Sequence, residues 1–146
     1  MRGIWVAAGL VIALATGGAA VAASDLGAQR EADMKAIGGS LKTGFDMVQG
    51  KTAFDAAKAK AAMEKIVAKA TDFPTLFPPG SESADGKASP KIWTDKADFE
   101  AHAAKLASDA KAAAAAADGG LDAFKPAIGA VAANCKACHQ TYRLSD

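Results

Sequence analysis

The sequence predicts an all-α fold, an antiparallel up-down-up-down four-helix bundle with its helices about 20° from parallel. Three observations lead there. The chain after residue 23 is rich in alanine and lysine and poor in β-branched residues, a composition that favours helix. Its apolar residues recur at steps of three and four, not two. The periodic segments are joined by short breaks except for one long, proline-rich connection, which suits neighbouring antiparallel helices.

The first helix is predicted from about Leu26 to Gln49, with Met34, Ile37, Leu41, Phe45 and Val48 as its apolar stripe and Gly50-Lys51 as its stop. The second is predicted to begin at the capping-box pattern Thr52-Ala-Phe-Asp55 and to carry Phe54, Ala57, Ala61, Ile66 and Ala70 toward Asp72. Pro74 forbids much further helix. Residues 73–93 hold four of the five prolines and make the long connection. Its Phe73, Leu76, Phe77, Ile92 and Trp93 are expected to close one end of the core, with Ser81 to Ser89 at the surface.

A third helix is expected from Thr94 or Asp95, with Phe99, Ala103, Leu106, Ala110, Ala113 and Ala117 in line and Asp118-Gly119-Gly120 ending it. The alanine run from Ala112 to Ala117 reads as ordered helix, since alanine is the best helix former. The fourth helix places Leu121, Phe124, Ile128, Val131, Cys135, Cys138 and Tyr142 on one face. Pro126 means that the regular helix either starts there or bends there.

Residues 1–23 are expected to be a secretory signal peptide: Arg2 gives a positive start, Ile4 to Leu14 an apolar middle, and Ala20-Val21-Ala22-Ala23 a small-residue cleavage site. A membrane anchor is the alternative, because the run is just long enough to span a bilayer; its Ala-, Gly- and Thr-rich second half disfavours that reading. The exported chain, 24–146, would be one domain with no stable membrane anchor. Without Arg2, its 16 Lys and Arg balance 16 Asp and Glu. That neutrality gives no support for nucleic-acid binding.

The only cysteines stand in Cys135-Lys-Ala-Cys138-His139, the spacing used for covalent haem attachment. On a helix these three side chains leave one face, so one flat cofactor can take all of them. Each thiol can add across one porphyrin vinyl group, and the imidazole can bind the iron. A thiol redox pair or a zinc half-site is the alternative. No strand pattern surrounds the motif, and His102 is the one other histidine available as a partner. No nucleophile-base pair, phosphate loop or paired carboxylates point to an enzyme.

Four stretches together resemble the class II c-type cytochromes, the cytochrome c prime proteins and their low-spin relatives of the c-556 type. They are Arg30-Glu-Ala-Asp-Met34-Lys-Ala-Ile-Gly-Gly, Phe73-Pro-Thr-Leu-Phe-Pro, Pro90-Lys-Ile-Trp93 and Cys135-Lys-Ala-Cys-His-Gln-Thr-Tyr-Arg143. The resemblance spans nearly all of 24–146. It implies a periplasmic four-helix protein with one covalently bound haem c per chain, often a homodimer through its first two helices. Cys135 and Cys138 would carry the thioether bonds, His139 would be the proximal iron ligand, and Met34 falls at the distal position.

A coordinating Met34 implies a low-spin electron carrier serving periplasmic redox partners. A Met34 that only packs leaves an open iron site for nitric oxide or carbon monoxide. Arg30, one turn before Met34, and Arg143, one turn after His139, are candidate propionate contacts; a solvated surface charge is the alternative for each. Met47 and Met63 read as filler in the core or at the surface. A haem-free thiol or metal-binding module is a third functional class.

Overall fold

The computed structural model describes the backbone of residues 18–144 and the side chains of 25–144. The export segment predicted over residues 1–23 lies outside these residues, apart from the backbone of its last positions. Helix α1 spans Gly18–Val48, α2 Ala56–Asp72, α3 Lys91–Thr94, α4 Lys96–Ala116 and α5 Leu121–Tyr142. Short 3-10 turns cover Phe73–Leu76 and Ala117–Gly119. Four long helices make the bundle, and α3 is one extra turn in the long connection. No helix among the described residues is long and apolar enough to cross a membrane.

The first helix stops because Gly50 lets the chain reverse: Lys51 donates its N–H to Asp46 O at 2.8 Å and Thr52 to the same oxygen at 3.1 Å, a Schellman-like closure. Those bonds hold Thr52 in the turn, so the expected cap is displaced. The N-cap of α2 is Asp55, whose carboxylate accepts the Lys58 N–H at 3.0 Å. The buried stripe of α2 follows the later start: Ala59, Met63, Ile66 and Ala70 face inward, and Ala57 and Ala61 are exposed. Alanine had no power to say which side was inner, because it fits either.

The face of α1 is also rotated from its apolar stripe. Its buried positions are Gly27, Arg30, Asp33, Ile37, Ser40, Gly44 and Met47, while Met34, Leu41, Phe45 and Val48 are half-buried. Gly27, Arg30, Asp33 and Gly44 sit inside because each has a partner or a close neighbour there. Asp33 pairs with Lys69 at 2.7 Å, joining α1 to α2. Gly44 gives way to α5: a Cβ there would lie 2.3 Å from Ile128 Cδ1 and 3.2 Å from Phe124 Cζ.

Helix α5 continues through Pro126, which lies in its second turn with an exposed side chain. The proline cannot donate to Asp122 O, and Asp122 is exposed, so water can serve that carbonyl. The stripe Phe99, Ala103, Ala110, Ala113 of α4 is buried as predicted, and so are Phe124, Ile128, Val131 and Tyr142 of α5. One core cluster fills the bundle around Met63, Ile66, Phe124, Ile128 and Val131. Met47 belongs to it too. A second cluster of Phe77, Ile92, Phe99 and Tyr142 closes one end, with Phe73, Trp93 and Cys138 packed on it.

The connection is drawn tightly onto α1 at Gly27, where a Cβ would lie 2.3 Å from Ala84 O. In an isolated helix Gly27→Ala would gain about 1 kcal/mol. Here the obstacle is backbone oxygen, and overpacking of this kind costs about 1–3 kcal/mol. The holoprotein carrying Gly27→Ala is therefore expected to melt a few degrees lower in a thermal scan; a higher melting temperature would mean that the connection yields freely.

Candidate functional site

Helix α5 delivers the motif at its C-terminal end, with Cys135 and Cys138 half-buried and His139 exposed. Cys135 Sγ donates to Val131 O at 3.7 Å, the weak contact open to a helical thiol. Cys138 lies against the aromatic end cluster. Burial raises the pKa of both thiols. For Cys138, burial with the neighbouring Cys135 and Asp98 charges pushes it up to about 11. Both stay protonated at neutral pH.

His139 lines a hollow of about 400 Å³ with Lys136, Gln140, Arg143 and Leu144. Burial, then the Arg143 charge, lowers its pKa from the ordinary value. A neutral ring keeps a nitrogen lone pair for a metal. Among the described residues no three of His, Cys, Asp and Glu converge to hold a metal ion. His102 instead sits beside Asp98, at 3.5 Å, with its ring 5.7 Å from that of Tyr142. A zinc site would lack its further ligands here.

The helix opposite is α1. Gly44 meets Ile128 and Phe124, and the two helices run antiparallel. Met34 lies ten residues before Gly44, and Cys138 ten after Ile128. At about 1.5 Å per residue both are some 15 Å along their helices from the Gly44 contact, so Met34 is level with Cys138. Of the four seams between neighbouring long helices, α1 with α5 is the least closely packed. Cys135, Cys138 and His139 at the end of α5, with Met34 on α1 level with Cys138, bring together two thiols, a neutral imidazole and a thioether, a donor set whose chemistry suits a haem.

Arg30 is drawn elsewhere. Its side chain is 3% exposed. Nε and Nη2 donate to Leu76 O at 3.1 and 2.9 Å, and Nη2 also to Ser81 O at 3.1 Å and Ser81 Oγ at 2.7 Å. Nη1 reaches Asp85 Oδ2 at 3.2 Å. The guanidinium face lies 4.1 Å over Phe77, a cation-π arrangement. In this structure the planar fork expected for a propionate is spent on the connection. Arg143, by contrast, lines the hollow with His139.

Three polar features of the site escaped sequence reading. Tyr142, one turn beyond Cys138, donates its hydroxyl to Asp98 Oδ2. Burial, with that bond and the Asp98 charge, raises the phenol's pKa. Asn134 is buried beside Cys135 and donates to Asp109 Oδ2 at 2.7 Å and Ala130 O at 3.1 Å. An asparagine within an apolar stripe was the available clue to it. The third is Asp85, whose Oδ1 accepts the N–H groups of Lys87 and Ala88, both at 2.9 Å.

Two of these carboxylates set an acid limit. Burial pushes Asp85 up, but the Lys87 and Ala88 N–H groups and Arg30 outweigh it, and the carboxyl titrates below its ordinary value. Hydrogen bonds from Lys105 and Asn134 lower Asp109 likewise. A carboxyl depressed in the folded state stabilises above its unfolded pKa, and that stability is lost as pH falls through the folded value. The melting temperature of the holoprotein is expected to be flat from about pH 5 to 8 and to fall below about pH 4. Thermal scans in a pH series check this; a flat profile to pH 2 would contradict it.

The comparisons with known proteins give the family. The family model described as Cytochrome C' matches residues 25–143. The chain is 41% identical over 116 residues to cytochrome c-556 of Agrobacterium tumefaciens (strain II Chrys), covering 80% of this chain and 94% of that one. It is 41% identical over 140 residues to cytochrome c' of Rhodopseudomonas palustris, covering 93% and 92%. A solved nitric oxide complex of a cytochrome c prime variant from Alcaligenes xylosoxidans superimposes with a TM-score of 0.77 at 32% identity, covering 85% of this chain and 97% of that one. With this match over nearly all of the described bundle, the chain belongs to the cytochrome c' family and is a c-type cytochrome with covalently attached haem c.

Proposed function

We propose that this cytochrome carries one electron in the periplasm, with the haem bonded to Cys135 and Cys138 and the iron ligated by His139 on one side and Met34 on the other. The observation that carries the reading is the antiparallel register of α1 on α5, which sets Met34 level with Cys138, the neighbour of His139. The haem supplies an iron that alternates between Fe(III) and Fe(II). The chain's own residues hold and tune it. Cys135 and Cys138 keep their protons until attachment, because burial disfavours both thiolates. His139 presents a neutral ring, and Arg143 beside it resists protonation of that ring. A thioether at position 34 favours the reduced state and raises the potential. The aromatic cluster packed on Cys138 shields one side of that residue from water.

The second reading is a five-coordinate protein that binds nitric oxide or carbon monoxide beside an unbonded Met34. It is favoured by the likeness to a cytochrome c prime variant solved with nitric oxide and by the half-exposure of Met34 at the loosest seam. An optical spectrum of the periplasmically expressed, reduced protein with and without carbon monoxide separates the two. Sharp low-spin bands unmoved by the gas are expected. Broad high-spin bands that shift at once on adding it would overturn Met34 coordination, and no Soret band at all would overturn haem attachment.

A further inference from the structure

The connection between α2 and α4 touches both α1 and the end of α5, and Asp85 stands where its two sets of contacts meet. Asp85 Oδ2 accepts Arg30 of α1, one turn before Met34. Its Oδ1 gathers the N–H groups of Lys87 and Ala88. The segment so shaped pairs with the end of α5, one turn past His139. Leu144 donates to Lys87 O at 2.8 Å, Ser89 donates to Tyr142 O at 3.0 Å, and Ala88 and Arg143 form an antiparallel bridge.

We propose that the Arg30–Asp85 contact makes this segment a strut that holds α1 at a fixed distance from α5 and so sets how readily the sixth position of the iron opens, with Asp85 as a positioning residue. The mechanics follow from where the seam is pinned. At one end Gly44 lets α1 rest directly on Ile128 and Phe124. At the other the strut joins Arg30 to residues 142–144. Met34 and Cys138 lie between the two pins, where α1 and α5 are least closely packed. Without the strut this stretch of α1 stays tied to α2 by Asp33–Lys69 but has one tie fewer to α5, and a shift of an ångström away from α5 separates a bonded sulfur from an open site.

Burial makes the strut hard to replace by water. Arg30 is covered on its face by Phe77 and on its edges by Leu76, Ser81 and Asp85. Without Asp85 a charge nearly out of reach of solvent loses its counter-ion. Ser81 Oγ, which accepts Arg30, donates in turn to Pro78 O at 2.7 Å, so the anchoring residues are themselves held. This inference rests on the axial assignment of Met34 and His139, and the experiment separates the two.

The test compares purified holoproteins carrying Asp85→Ala, Asp85→Asn, Met34→Ala and the Asp85→Ala/Met34→Ala pair. Haem content, far-ultraviolet dichroism, the reduced spectrum, carbon monoxide association and proteolysis of residues 78–88 are measured for each. Asp85→Ala is expected to keep its haem and helix, to expose the segment to protease, to gain high-spin character and to bind carbon monoxide about tenfold faster. Asp85→Asn keeps a side-chain oxygen to accept the Lys87 and Ala88 N–H groups and loses the charge, so it should fall between that variant and the parent. In the Met34→Ala background the same change should add little, since the ligand it acts through is gone. A cleaved segment with association unchanged within about twofold overturns the strut, and so does a segment that stays closed. If Met34→Ala alone leaves the spectrum unchanged, the axial assignment fails, while the strut is still judged by the effect of Asp85→Ala on gas association.

Discussion

Met34→Ala is expected to turn a sharp low-spin reduced spectrum into a broad high-spin one and to let carbon monoxide bind at once. The change removes the thioether, and alanine offers no replacement ligand. The packing cost is modest because Met34 is only half-buried, on the flank of the main core cluster. A fully buried methionine truncated to alanine costs about 2–5 kcal/mol, and a flanking one about half as much or less. The protein should therefore stay folded with its haem, so that the spectrum reports the ligand and not unfolding. Met63→Ala is the matched control. Met63 is 0% exposed in the centre of the core. Its truncation should lower the melting temperature more than Met34→Ala does and leave the low-spin bands in place. The reverse pattern, with Met63→Ala altering the bands and Met34→Ala leaving them, would contradict the distal assignment.

Phe124→Ala is expected to be the most damaging single truncation in the bundle. The ring is 0% exposed and faces three elements at once. It lies 5.8 Å from the ring of Phe54 before α2, its Cζ is the atom a Gly44 side chain would meet at 3.2 Å, and it shares the core cluster with Ile128 and Met63. Burying a phenylalanine and then deleting it costs about 3–5 kcal/mol, transfer and cavity together. For a domain of this size that corresponds to a fall of roughly 12–20 °C in melting temperature, measured on the holoprotein. The damage should also reach the site, because Phe124 and Ile128 carry the contact with Gly44 that pins α1 to α5. A loss below about 1 kcal/mol would show that the two helices close the gap.

The fold class and the haem motif were legible because each rests on a strong local pattern. Steps of three and four set the helices, and five consecutive residues hold two thiols and an imidazole. The stripe of α5 could be read almost residue by residue, since Phe, Ile and Val are apolar enough to mark an inner face. The stripes of α1 and α2 were harder. Ala57 and Ala61 pass for core by hydropathy but carry too little surface to settle a helix's rotation. On α1, Arg30, Asp33, Ser40 and Gly44 share the inner face with Ile37 and Met47, although hydropathy does not mark them as core. Their burial depends on partners far along the chain: Asp85 and Ser81 for Arg30, Lys69 for Asp33, and the Ile128 side chain for Gly44.

Sequence by itself therefore determined the cofactor chemistry, the helical class and the outline of one side of the site, because these depend on neighbours within a turn or two of one another. Tertiary structure decided the rest. The level of Met34 against Cys138 comes from the antiparallel register of two helices separated by most of the chain. The commitment of Arg30 to the connection comes from contacts 46 to 55 residues away. Periodicity reports only that a residue faces inward, whereas a ligand or a strut is defined by what it faces.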